Sequence, residues 1–221
     1  MRTQYFLIIT LSIIALFALG CQNSTTPNCV NTYGDNTVTD CRDGQTYRTV
    51  QIGTQNWLAQ NLNYETRSGS WCYGDDTLNC AIYGRLYNWK TAKSACPYGW
   101  HLPSDGEWKI LERFIGMDST KAASEGWRET NGEGDKLKAN SNLWNTNTGT
   151  DDYGFGALPG GVYGLVFNNL GGDAFFWTST PYGGVGFAYL RAMASPFNTI
   201  SREYLGGETY FSIRCLEDGG I

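Results

Sequence analysis

Residues 95–108 read ACPYGWHLPSDGEW and hold a cysteine, two tryptophans, two prolines and the only histidine of the chain. Such density suits either a reaction centre or a link between two structural elements, and the local chemistry favours the link. Pro97 and Gly99 end any helix arriving from upstream, because proline has no N–H to donate and glycine readily leaves helical geometry. Ser104-Asp105-Gly106-Glu107 then fits a capping box, in which the serine hydroxyl and the glutamate carboxylate satisfy backbone N–H groups reciprocally. Trp108, Leu111, Phe114 and Ile115 give the following helix one apolar stripe, and Gly116 is its stop. With Ser104 and Asp105 occupied at the helix start and no second histidine, His101 lacks a nucleophile or base partner. It is expected in a partly buried, hydrogen-bonded structural position.

Upstream, Leu86, Trp89, Ala92 and Cys96 recur at intervals of three and four and predict a first helix ending at Pro97. Before that, DGQTYRTVQIGTQNWLAQNLNY alternates from Asp43 onward, with Tyr47, Thr49 and Gln51 on one side and Val50 and Ile52 on the other. Gly44 and Gly53 serve as turn residues, so a β-hairpin is predicted, with Trp57 and Leu58 entering the core. Beyond Gly116 helix is expected only near residues 136–139. Short strands are predicted at 161–167, 175–179, 188–193 and 210–215, separated by glycine pairs. The fold class that follows is α+β: two helices packed on short antiparallel strands with long Gly-rich loops. The length, 221 residues, suits one large domain with a core of its own.

The N-terminus places Arg2 before an apolar run from Tyr5 to Leu19, the pattern of a signal peptide over residues 1–20. The run is shorter than the roughly 20 residues a spanning helix needs. The Gly20–Cys21 junction resembles that of bacterial lipoproteins, so Cys21 is expected to carry lipid, with residues 21–38 as a tether and residues 39–221 as the domain. The membrane contact is then through the N-terminal lipid, and the location is the cell envelope, at the outer membrane. Ordinary secretion with cleavage near Ala18 or Gly20 is the alternative. Removing residues 1–20 takes one cation, Arg2, from 16 Lys+Arg against 21 Asp+Glu, moving the net charge from −5 to −6. That balance, with no Lys/Arg cluster, argues against nucleic acid as a partner.

Setting Cys21 aside leaves Cys29, Cys41, Cys72, Cys80, Cys96 and Cys215, an even number in an oxidising compartment. None is spaced C-x-x-C, and one histidine cannot complete a Cys/His zinc site. Cys29 with Cys41 and Cys72 with Cys80 close short loops, which leaves Cys96 with Cys215. In the chain-entropy model so long a loop is worth on the order of 4–5 kcal/mol.

Taken in order, DGQTYRTVQIGTQNWLAQNLNY, SWCYGDDTLNCAIYGRLYNWKTAKSACPYGWHLPSDGEW, DDYGFGALPGG, FFWTST and SIRCLED resemble the Fibrobacter succinogenes major paralogous domain from about Thr39 to Asp218. The resemblance implies an envelope setting, often a lipoprotein, and no known chemistry. A more distant likeness joins the chain to the C-type-lectin-like fold and to sulfatase-modifying-factor domains, whose GWRLPTEAEW-type element is similar to GWHLPSDGEW. That likeness implies a bridge from the first helix to the last strand, matching Cys96 and Cys215. It suggests fold and not activity. The lectins' calcium triplets are missing here, since no proline lies in Glu-Pro-Asn or Gln-Pro-Asn and Trp144 is followed by Asn145-Thr146. The late cysteine pair that holds copper in formylglycine-generating enzymes is missing too.

Among carboxylates, Asp75-Asp76, Asp151-Asp152 and Glu203 with Glu208 are the candidate pairs for acid–base work or glycoside cleavage. The oxygen-rich tract at residues 140–154 is expected to be a plain loop with no cofactor; calcium is the alternative, with Asp151 and Asp152 its candidate ligands. Eight tryptophans and fourteen tyrosines suggest a glycan platform. Trp57, Trp89, Trp100, Trp108 and Trp177 fall where core residues are needed, and Trp127, Trp144, Tyr163 and Tyr182 fall in loop-rich sequence as candidate ligand contacts. The expected function is non-enzymatic: an anchored envelope protein with a binding or structural domain, taking polysaccharide or another envelope protein if it binds. The rival is an enzyme of sulfatase-modifying-factor type or a hydrolase using loop carboxylates.

Overall fold

The computed structural model describes residues 29–146 and 149–219. The expected signal sequence and the lipid anchor Cys21 lie outside the described residues. The tether expected over residues 21–38 gives way to folded chain by Cys29, where a disulfide to Cys41 forms. Thr32–Gly34 and Thr37–Thr39 make a tight hairpin, and the second strand pairs with Thr46–Ile52. Asn36 sits at φ 53°, a conformation Asn tolerates in turns, and Val38 is fully buried. One apolar residue in a polar segment is enough to seat it.

The hairpin read from Asp43 onward is present: Thr46–Ile52 pairs with Gln55–Leu58, with Gly53 at φ +61° in the turn. Its sheet continues through Leu216–Glu217 to Trp100–His101, giving six antiparallel strands. A second sheet orders Phe167–Asn168, Val162–Tyr163, Tyr210–Phe211, Leu86–Asn88 and Ser70–Trp71. A third orders Asp173–Pro181, Phe187–Ala194, Ile200–Gly206 and Gly126–Arg128. The domain is thus mostly β.

Five α-helices accompany the sheets among the described residues: α1 Thr77–Tyr83, α2 Trp89–Ala92, α3 Asp105–Phe114, α4 Ser119–Ala123 and α5 Glu133–Leu137. Only α3 is long, and it begins where the capping box put it. The Ser104 hydroxyl accepts from the Glu107 N–H at 3.2 Å, and Glu107 Oε2 accepts from the Ser104 N–H at 2.7 Å. Trp108, Leu111 and Ile115 are buried as the stripe requires, whereas Phe114 is exposed and leans edge-on toward Tyr153. The helix expected from Leu86 to Cys96 is corrected by the structure. Leu86–Asn88 is a strand between Tyr210–Phe211 and Ser70–Trp71, only Trp89–Ala92 is helical, and Cys96 lies in the turn beyond. Ladder hydrogen bonds on both sides outweigh helical periodicity there, and the Asn88 side chain restarts the chain as a helix by accepting from the Thr91 N–H.

The third sheet divides the interior. In Asp173–Pro181, Ala174 and Phe176 face a cluster built on Trp57, Trp108 and Phe155, while Phe175 and Trp177 face one built on Tyr87, Trp100 and Phe211. Both faces are covered, so the strand reads as a continuous apolar run. The Trp177 indole N–H donates to the Tyr87 carbonyl at 2.9 Å, giving the buried ring the partner it needs. Beside the Trp108 cluster lies a buried ionic network. From α3, Asp105 and Glu112 reach Arg128, Arg191 and Arg202 of the sheet, all five nearly or fully buried. All three expected disulfides form: Cys29–Cys41, Cys72–Cys80 and Cys96–Cys215, the last joining residues 119 apart in sequence.

Candidate functional site

The second sheet carries a cluster of aromatic rings on its outer face. Directly opposed residues of neighbouring strands share a face. Tyr163 is opposite Phe167 on one side and Tyr210 on the other, so the three rings form a row across three strands. Alternation sends their neighbours inward: Phe211 is buried and Val162 packs against the same core. Tyr163 and Phe167 stack at 4.3 Å with planes 23° apart, and Tyr210 lies 5.2 Å from Tyr163. Trp71, from the far edge strand, approaches Tyr163 edge-on at 6.0 Å, and Tyr73 lies 5.1 Å from Phe167. The Cys72–Cys80 bridge holds the turn bearing Trp71 and Tyr73 against α1.

These rings are only partly covered, Trp71 being 42% exposed. The adjoining hairpin tip adds Leu165, wholly exposed, and Val166. Next to Tyr210 the surface falls into an open groove lined by Thr66, Ser68, Asn88 and Thr91, with Arg67 and Lys90 at its sides. Aromatic faces beside hydroxyl, amide and cationic groups can stack on a ring while donating and accepting hydrogen bonds at its edge.

Of the four ring residues singled out in the sequence, Tyr163 is the centre of this cluster. Trp127 is half exposed and pairs with the exposed Phe197 at 6.2 Å. Tyr182 stacks face to face on Tyr204 at 3.5 Å. Trp144 is corrected: it is 3% exposed, inside the cluster of Trp57 and Trp108, with Lys138 Nζ 5.2 Å from its ring. A loop-rich stretch says nothing of whether a loop folds inward. The sequence reading passed over Trp71, Tyr73, Phe167 and Tyr210. Alternation in the pairs Val162-Tyr163 and Tyr210-Phe211 was a signal that could have found two of the site's rings.

Of the carboxylate candidates, Glu203 lies in the strand Ile200–Gly206 and Glu208 is exposed in the turn after it. Asp151 is half-buried at φ 53° and its Oδ1 accepts from the Gly156 N–H at 2.7 Å, while Asp152 is exposed. Burial raises the Asp151 pKa. Asp76 caps α1 by accepting from the Leu78 N–H. Among the described residues no three of His, Cys, Asp and Glu are grouped to hold a metal ion. His101 is held on both ring nitrogens, Nδ1 at 2.6 Å from Asp218 Oδ1 and Nε2 at 3.0 Å from Glu107 Oε1. The bond to Glu107 raises its pKa, and partial burial offsets only part of that. Burial pushes the Glu107 carboxyl up, but the bonds from His101 and Ser104 more than compensate and hold it at about 2.

Residues 50–217 match the family model described as the Fibrobacter succinogenes major domain. No curated protein and no solved structure matches.

Proposed function

The chain belongs to the Fibrobacter succinogenes major domain family, and from that premise we propose that it is an exported, lipid-anchored envelope protein whose domain binds an extended polysaccharide without altering it chemically. The observation that carries this reading is the partly buried row of Phe167, Tyr163 and Tyr210 flanked by Tyr73 and the exposed Trp71. A monomeric domain gains nothing in stability by leaving such rings toward water, and a sugar polymer offers apolar C–H faces at regular intervals to cover them. Three disulfides fit a compartment that is oxidising. Anchoring rests on the Gly20–Cys21 junction, which leaves Cys21 a few residues ahead of the folded domain.

A C-type-lectin-like form is part of the same proposal. Its support is the bridge from Cys96, after α2, to Cys215, beside the last strand Leu216–Glu217.

Pull-down on insoluble and immobilised polysaccharides tests the binding reading. Wild type is retained on at least one polymer, and Trp71→Ala and Tyr163→Ala each reduce retention while Trp127→Ala does not. Uniform failure on every polymer, or retention indifferent to Trp71 and Tyr163, overturns it. Anchoring is tested by mass spectrometry of the N-terminal peptide, which should begin at an acylated Cys21.

A further inference from the structure

A second cleft, separate from the aromatic row, opens where the strand Thr46–Ile52, the segment after Leu58 and the C-terminal end of α1 meet the loop around Asp151. Its volume is about 310 Å³, at the small end of the roughly 300–1,000 Å³ typical of ligand sites. Five carboxamide residues line it, Gln45, Gln60, Asn61, Asn63 and Asn140, with Arg48 and Asp151 as the charged ones.

Several of these groups are held in place by bonds that leave other polar atoms free. Asn61 donates to the Tyr83 carbonyl at 2.9 Å and accepts from the buried Arg214 at 2.7 Å, so its amide plane is locked. Gln60 Oε1 accepts from the Arg48 N–H at 2.8 Å, which leaves its NH₂ group to donate. Asn63 lines the cleft while its own Oδ1 is shut off from solvent, so the oxygen is not a contact for a ligand. The Arg48 side chain forms no hydrogen bond or ion pair among the described residues, and one Asp151 oxygen is bound by Gly156.

We propose that this cleft is a binding site for a neutral, polyhydroxylated ligand the size of one sugar ring, either a free monosaccharide or the end unit of a glycan. A hydroxyl is donor and acceptor at once. A primary amide presents a donor and an acceptor side by side, so several amides around one small space match several neighbouring hydroxyls. One cation and one anion on the lining balance each other, which favours a neutral ligand over a charged one.

The site is independent of the aromatic row and its test separates the two. The mature chain, ¹⁵N-labelled, is titrated with glucose, galactose, mannose and N-acetylglucosamine, each also as an oligosaccharide, while backbone and side-chain amide signals are followed. The expected result is a saturable shift of the Gln60, Asn63 and Asn140 side-chain amides and of the Gly156 N–H with at least one sugar, unchanged in Trp71→Ala. Oligosaccharide binding tighter than that of its monomer identifies a glycan end. Asp151→Asn, which keeps a residue tolerant of positive φ, weakens binding about tenfold, as expected for losing a hydrogen bond to a charged group. Asn140→Ala is the second variant, with its fold checked by circular dichroism. Absence of saturable shifts with every sugar, shifts outside these residues, or the same shifts with zwitterionic glycine each overturn the proposal.

Discussion

Arg191 and Glu112 meet in the interior with Nε and Oε1 2.6 Å apart and neither side chain accessible to solvent. The same Glu112 oxygen takes Arg128 Nη2 at 2.8 Å, so one carboxylate serves two guanidiniums. Asp105 does likewise for Arg191 and Arg202, at 2.9 and 2.8 Å. Two carboxylates from α3 therefore lock that helix to three arginines of the sheet.

Removing one partner of such a network leaves charge buried without compensation. Glu112→Gln is expected to destabilise the domain by about 3–5 kcal/mol, read as a drop in the urea midpoint at unchanged slope. A loss under 1 kcal/mol would mean that water reaches the arginines.

The His101 triad makes stability depend on pH in both directions. His101 has its pKa raised above the ordinary 6.5 in the fold, so its contribution is complete below pH 6.5 and is lost as pH rises through the folded value. Glu107 is lowered from 4.5 to about 2, so its contribution is complete above pH 4.5 and is lost as pH falls toward 2. Both act together between those limits, where the stability maximum is expected. His101→Gln should flatten the decline above pH 6.5. A midpoint-versus-pH curve identical to that of wild type would contradict this.

Reduction of the long bridge removes a constraint on the unfolded chain. The paired change Cys96→Ala with Cys215→Ala is expected to cost on the order of 4–5 kcal/mol. Non-reducing peptide mapping of the wild type should recover the peptides of Cys96 and Cys215 as one species.

Gly134 lies inside α5, where alanine is ordinarily better than glycine by about 1 kcal/mol. Here a Cβ would come within 2.5 Å of the Thr199 carbonyl oxygen and 2.6 Å of that of Asn198. Backbone cannot step aside as a side chain can, so overpacking of about 1–3 kcal/mol wins. Gly134→Ala should lower Tm, and a rise would show that the two segments can part.

Much of the frame was legible because its signals are local. The capping box at Ser104 and Glu107 needs four consecutive residues, and the hairpin around Gly53 needs a dozen. The short cysteine loops need only their spacing, and the third pair follows from the other two. What failed was the helix over Leu86–Cys96, whose spacing is genuine. Its first three residues, Leu86–Asn88, are claimed by strands from residues 70–71 and 210–211, and no local rule contains that competition.

The sequence by itself determined where α3 starts, which cysteines are left to pair, and that the chain carries far more rings than a surface needs. Only the tertiary structure decided which rings face water. Tyr163, Tyr210 and Trp71 come from three distant segments and meet through strand register, while Trp144, in a loop of similar composition, turns inward. Burial is set by what the rest of the chain leaves uncovered, a sum over non-local contacts that no stretch of neighbouring residues encodes.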